Sequence, residues 1–354
     1  STLFSYNFTT SSENLKVMRI GILTSGGDCP GINATIRGVC KTAISHYGME
    51  VYGIRSGFRG LLDNDIIPLD ENSLTGLLSM GGTILGTSRE KPFKNRANVP
   101  VSEDKPAMML KTIRERKLDC VVCIGGNGTQ KTAAKLAATG VNVVTVPKTI
   151  DNDVWGTDIS FGFDSAVSIA TEAIDRLHST ASAHQRVMVI EVMGHKAGWI
   201  ALYSGMAGGG DIILLPEIPF DIHRIGDTII NRLKKGKPYS IVVVAEGIPT
   251  LGGKKAAQYI AEEIEYETGF ETRETVLGYI QRGGGPTAFD RNLATRMGGH
   301  ATELIASGQF GRMVSLRGSE ITSVPLGEVA GKLKLVTEEH DLVIQGRRMG
   351  ICFG

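Results

Sequence analysis

The sequence predicts an α/β protein: two doubly wound α/β domains with mostly parallel sheets and an active-site cleft between them. Three observations lead there. Short apolar runs bounded by turn residues alternate with longer stretches of helical periodicity, the pattern of strands buried on both faces of a parallel sheet. The chain has 354 residues, enough for two domains. It carries 45 glycines, well above the usual share of about 7%, and they cluster in short loops directly after the apolar runs.

The elements follow in order. Residues 18–24 form an apolar run that ends at Ser25-Gly26-Gly27-Asp28; 33–47 reads as helix and 50–54 as strand. Residues 120–124 form a strand ending in Gly125-Gly126-Asn127-Gly128-Thr129, with helix through Ala138. Residues 142–146 are a further strand, leading into Pro147-Lys148-Thr149-Ile150-Asp151-Asn152-Asp153. In 163–177, Val167, Ala170, Ile174 and Leu177 recur at helical spacing and mark one buried side. A second strand series comprises 187–192, 211–215 and 240–245, followed by a polar-faced helix over 254–268. Right-handed crossovers then build two sheets.

Composition narrows the function. Hydrophobic residues make up 42% and charged residues 21%, which excludes a disordered chain. Lys plus Arg total 38 against 37 for Asp plus Glu, so no global basic surface for nucleic acid exists, and only a local phosphate site remains open. No apolar run reaches the roughly 18 residues of a membrane span. Residues 1–16 are polar and read as a loose extension rather than a secretory signal. The five cysteines, an odd number, argue for a reducing compartment, with the cytoplasm as the default location. Cys120 and Cys123 have redox-motif spacing, but three residues along a strand reverse the face, so they read as packed thiols.

The three loops that follow strands carry the chemistry. In open α/β sheets, ligands bind outside the carboxyl ends of the strands, so the loops converge on one crevice. The turns at 25–31 and 125–129 bring bare backbone N–H groups to an anion, each with a helix N-terminus behind it. Neither fits the dinucleotide or P-loop pattern. In the third loop, Thr149, Asp151 and Asp153 place a hydroxyl beside two carboxylates. In extended backbone both carboxylates point to the same side, one to accept a proton and one to hold Mg²⁺, with Lys148 as a fixed cation. A solvated Asx-rich turn is the alternative.

These three loops resemble the signature loops of the phosphofructokinase family. Ala183-His-Gln-Arg186, Glu191-Val-Met-Gly194, Val244-Ala-Glu246, Thr275-Val-Leu-Gly278 and Gln281-Arg-Gly-Gly284 match in the same order, from about residue 18 nearly to the C-terminus. The resemblance implies phosphorylation of fructose 6-phosphate at its 1-hydroxyl from ATP or pyrophosphate. It implies Asp151 as base, Asp153 and Asn127 beside Mg²⁺, Thr149 on the sugar or the transferring group, and Gly26 and Arg89 at the transferring phosphoryl. Gly125, Gly126, Asn127, Gly128, Thr129 and Lys148 would hold the donor. Arg186, Arg273 and Arg282 would bind the sugar phosphate, the first two from a neighbouring subunit, so a homo-oligomer, in tetrameric form, is implied. Met193, Gly194, His195, Glu246 and Tyr279 would contact the sugar.

The family pattern further implies a donor-binding domain of 18–162 plus 281–331 and a sugar-phosphate-binding domain of 163–280 plus 332–354, after an extension over 1–17. Three positions depart from it. Asn127 stands where many members have Asp, His195 replaces an arginine, and Tyr279 replaces a histidine; Lys196 is a substitute cation for the second. Gly128 favours ATP, since pyrophosphate users commonly carry Asp there, whereas Lys148 is common among pyrophosphate users. ATP is favoured because a misplaced carboxylate is harder to evade than an extra cation. Arg37, Lys41, Asp211, Lys235 and Lys237 resemble parts of an effector site, against the alternative of a solvated basic face; His178 takes the place of an arginine there. An NAD or lipid kinase leaves 149–153 unexplained, a non-catalytic sensor leaves the acidic residues unexplained, and a dehydrogenase lacks its fingerprint.

Overall fold

Strands form where the apolar runs stand. The computed structural model describes residues 17–94 and 104–354, so nearly all of the expected N-terminal extension lies outside the described residues. In chain order the strands are β1 (Arg19–Ser25), β2 (Glu50–Ile54), β3 (Ile66–Leu69), β4 (Cys120–Gly125), β5 (Val143–Pro147), β6 (Val187–Val192), β7 (Ile212–Leu214), β8 (Ser240–Ala245), β9 (Thr272–Val276), β10 (Arg312–Arg317) and β11 (Glu320–Pro325).

They make two sheets. The first has the order β11-β10-β5-β4-β1-β2-β3 and the second β7-β8-β6-β9. The second sheet is parallel throughout; the first is parallel in its centre, with antiparallel pairs β2–β3 and β10–β11 at its two edges. The α/β class with mostly parallel sheets therefore stands. Along β4, Cys120, Val122 and Ile124 enter one core while Val121 and Cys123 enter the other, as a strand covered on both faces requires. The two thiols thus lie on opposite faces, and burial pushes both upward in pKa beyond the range of a reactive thiol.

The strand order reverses direction at β1 and β4, the topological switch point where a crevice opens. Register then does the alignment. Ser25 pairs with Gly125, and Gly125 pairs with Pro147, so the three chemistry-bearing loops leave the sheet side by side.

Three local readings differ. The helix expected over 33–47 is α-helical over Ile32–Lys41 and continues as a π-turn, Thr42–His46. The helix expected over 163–177 runs on to His184, because Ala181 is still buried, and stops where Gln185 turns left-handed. Asp211 precedes β7 rather than opening it. Among the described residues, no helix is long and apolar enough to cross a membrane.

Candidate active site

A cavity of about 770 Å³ opens at the switch point, within the size range of small-molecule sites. Its lining takes residues from all three loops: Ser25, Gly26 and Gly27; Gly126 to Thr129; Lys148, Thr149, Asp151 and Asp153; Arg89, His195 and Arg282 join them.

The first turn needs glycine for conformation. Gly26 has φ +84°, and its N–H donates to Ser88 O at 3.0 Å while its carbonyl accepts from Thr87 Oγ1 at 2.6 Å. Of the backbone N–H groups that this turn was expected to bring to an anion, that of Gly26 is engaged within the fold and ties the turn to the segment carrying Arg89. At Gly27 a Cβ would lie 2.6 Å from Arg282 Nη1, so a side chain there would displace the guanidinium. The second turn starts the helix Asn127–Ala137 with Gly126 as N-cap and no side chain capping it. The first-turn N–H groups are left for a ligand, where the helix dipole favours negative charge. A Cβ on Gly128 meets nothing within 4 Å. Thr129 is buried, its Oγ1 donating to Ser25 O at 3.4 Å, so it joins the two turns.

The third loop is not extended. Asn152 is left-handed, φ +52°, and this turn brings Asp151 and Asp153 to the same cavity. Thr149 Oγ1 accepts from Asp151 N at 3.0 Å, leaving its O–H free to donate. Asp151 Oδ1 is shut off from solvent and has no hydrogen-bond partner. Burial pushes Asp151 above the usual carboxylate range, opposed first by the Arg282 guanidinium and reinforced by Glu246. Asp153 is raised to about 6 by burial and then by the Asp151 charge. Lys148, buried, donates to Gly27 O, and burial lowers its pKa. Asn127 Nδ2 donates to Asp153 O at 3.4 Å.

Two raised carboxylates and an orphaned oxygen are what a hard cation relieves. Among the described residues, no group of three or more His, Cys, Asp or Glu is placed to hold a metal alone. That fits Mg²⁺, which takes one or two carboxylates plus substrate phosphates rather than a protein cage.

The remaining sequence-picked residues stand elsewhere. Glu246 accepts from Gly194 N and His195 N at 3.3 and 2.8 Å, fixing the turn that presents His195. Met193 N donates to Gln281 Oε1 at 3.2 Å. Tyr279 is 73% exposed and does not line the cavity. Arg186 and Arg273 also stay out of it, sharing Glu271 through contacts to Oε2 (2.7 Å) and Oε1 respectively. Of the effector candidates, Arg37 and Lys41 lie on the helix Ile32–Lys41, and Lys235 and Lys237 are exposed after the helix Ile222–Lys234. Asp211 is engaged within the fold, with Arg232 Nη1 at 2.7 Å and Ile241 N at 3.0 Å, so its carboxylate is a structural anchor.

Sequence reasoning missed Lys91, Phe93, Lys94, Lys131 and Lys135, which also line the cavity. Lys131 and Lys135 were visible as an i, i+4 pair on one face of the helix after the second turn; Lys91 and Lys94 carried no periodic signal. With Arg89, Lys148 and Arg282 they bring seven Lys or Arg side chains to the lining, against Glu90, Asp151 and Asp153.

A cation-rich crevice at a parallel-sheet switch point, with glycine turns and two aspartates in one lining, defines a phosphoryl-transfer class of α/β enzyme. The phosphofructokinase family profile matches residues 19–305, and the chain belongs to that family. It is 80% identical over 337 residues to an ATP-dependent 6-phosphofructokinase 3 of Bacteroides thetaiotaomicron, covering 95% of this chain and 100% of the relative. It is 54% identical over 359 residues to an ATP-dependent 6-phosphofructokinase of Spirochaeta thermophila, covering 94% and 97%. Among solved structures, a Pichia pastoris phosphofructokinase in the T-state superposes with a TM-score of 0.82 at 32% identity, over 89% of this chain but 35% of that longer one. A pyrophosphate-dependent phosphofructokinase from Marinobacter aquaeolei gives 0.81 at 25% identity, over 96% and 89%.

Proposed function

We infer that the chain transfers the terminal phosphoryl group of MgATP to the 1-hydroxyl of fructose 6-phosphate, giving fructose 1,6-bisphosphate and ADP. One observation carries the chemistry: Asp151, whose Oδ1 has no hydrogen-bond partner, and the uncapped helix start at Gly126 border the same cation-lined cavity. Asp151, raised by burial, takes the hydroxyl proton as oxygen attacks phosphorus. Arg282 opposes that rise and so favours the charged form of the base. The first-turn N–H groups after Gly126 receive donor phosphate, while Arg89 and Lys148 balance charge on the transferring and leaving oxygens. This suits a reaction in which positioning and charge neutralisation do most of the catalysis. Mg²⁺ would be held by Asp153, assisted by Asn127, and supplies neutralisation of the phosphate charge. Lys91, Lys94, Lys131 and Lys135 attract the polyphosphate to the mouth.

The open space at Gly128 supports ATP over pyrophosphate, because the α-phosphate needs room there. The donor domain comprises 18–162 plus 281–331, and the sugar-phosphate domain 163–280 plus 332–354. Arg186 and Arg273 lie outside the cavity of their own chain, which supports their service to a neighbouring copy in a homo-oligomer. Five free cysteines, four of them buried, support a reducing, cytoplasmic setting. Purified protein is assayed for fructose 6-phosphate phosphorylation with ATP and with pyrophosphate at matched Mg²⁺; turnover with ATP is expected, and turnover with pyrophosphate alone rejects the donor assignment.

A further inference from the structure

Lys334 belongs to the C-terminal segment, far in sequence from any motif, and does not line the cavity. Its side chain is half-buried, and the ammonium reaches three oxygens: Asn152 Oδ1 at 3.0 Å, Thr157 O at 2.9 Å and Asp158 O at 2.6 Å. Those use all three N–H donors of a lysine. Its backbone is held as closely. Lys334 N donates to Asp153 O at 2.9 Å, and Lys334 O accepts from Trp199 Nε1 at 2.9 Å. The same ammonium lies 5.5 Å from the centre of the Trp199 ring. One residue thus spans from the 149–153 loop to the helix Trp199–Ala207 beside the second sheet.

What it grips is the strained point of the loop. Asn152 is the left-handed residue between the two carboxylates, and its amide oxygen takes only Lys334 Nζ and the Ser160 backbone and hydroxyl as partners. A non-glycine residue at φ +52° persists only where its surroundings over-determine it. That turn sets the direction in which the Asp151 and Asp153 side chains leave the loop, and both line the cavity.

We propose that Lys334 is a positioning residue for phosphoryl transfer: by pinning Asn152 in its left-handed turn it holds the Asp151 and Asp153 carboxylates in the cavity. The proposal rests on Asp151 acting as the base. A displacement of about 1 Å at a reacting group is enough to cost roughly a hundredfold in rate.

The test is a double-mutant cycle on the full-length enzyme, with kcat and both KM values measured for wild type, Lys334→Met, Asp151→Ser and the double variant. Lys334→Met is expected to lose between about tenfold and a hundredfold in kcat with little change in KM for ATP. In the Asp151→Ser background it should cause almost no further loss, because the carboxylate being positioned is gone. A purely structural lysine would lower both backgrounds by the same factor, and that result overturns the proposal, as does Lys334→Met retaining wild-type kcat. If Lys334→Met is not recovered folded, Asn152→Gly takes its place. Glycine accepts φ +52° without strain but removes the amide by which Lys334 grips the loop, leaving it only Thr157 O and Asp158 O, so the same kcat loss is expected and wild-type turnover again overturns the proposal. Asp151→Ser at wild-type rate would instead remove the base assignment itself, a distinguishable failure.

Discussion

Replacing Asp153 by asparagine should stabilise the ligand-free chain while damaging catalysis. Asp153 is 5% exposed and its carboxyl is raised from 3.8 to about 6 by burial and by Asp151. Because the folded pKa lies above the unfolded one, its favourable contribution is complete below pH 3.8 and is lost as pH rises through about 6. Near pH 8 the folded state therefore carries the whole penalty of an ionised buried carboxylate. A shift from 3.8 to about 6 corresponds to about 3 kcal/mol at 1.36 kcal/mol per pH unit. With unfolding entropy scaling with chain length, that is a rise in Tm of about 4 °C for Asp153→Asn. Calorimetry of wild type and variant without ligands, at pH 8 and pH 4.5, measures it. The gain should be full at pH 8 and reduced to about a third at pH 4.5. MgATP should then narrow the gap at pH 8, since it stabilises the wild type more. A variant less stable than wild type at pH 8, or a gain equal at both pH values, refutes the reasoning.

Other substitutions probe separate parts of the site. Gly128→Asp should fold normally, because its Cβ meets open space, yet lose roughly a hundredfold or more in kcat/KM for ATP through repulsion of the polyphosphate; steady-state kinetics with circular dichroism separates the two effects. Arg282→Ala removes the leading influence that holds Asp151 down, so the acidic limb of the kcat profile should move to higher pH, read from rates between pH 5 and 9. Gly26→Ala places an alanine at φ +84°, costing about 1–2 kcal/mol, measurable as a lower urea midpoint. Arg186→Ala should raise KM for fructose 6-phosphate while leaving KM for ATP nearly unchanged; equal effects on both would argue against a sugar-phosphate role.

The parts of this fold legible in sequence were those written locally. β2, β6 and β8 begin and end where apolar runs meet turn residues, and the three loops could be placed because each follows such a run. Partners distant in the chain were not legible. β10 pairs with β5 although the whole second sheet intervenes, and no motif marks that return. The left-handed turn at Asn152 depends on a lysine 182 positions away, so an extended reading of 149–153 was the natural local one. The Gly26 N–H looked free because Ser88, which takes it, lies outside the glycine motif. Similarly, no motif marks the contact that Arg186 and Arg273 share with Glu271.

The most direct measurement is a rapid-quench single turnover of Asp151→Ser with saturating MgATP and fructose 6-phosphate, alongside nucleotide affinity by titration. Loss of a positioned base should slow the chemical step by about 10²- to 10⁴-fold with nucleotide affinity essentially retained. A single-turnover rate matching the wild type, in protein that binds nucleotide normally, would contradict the account.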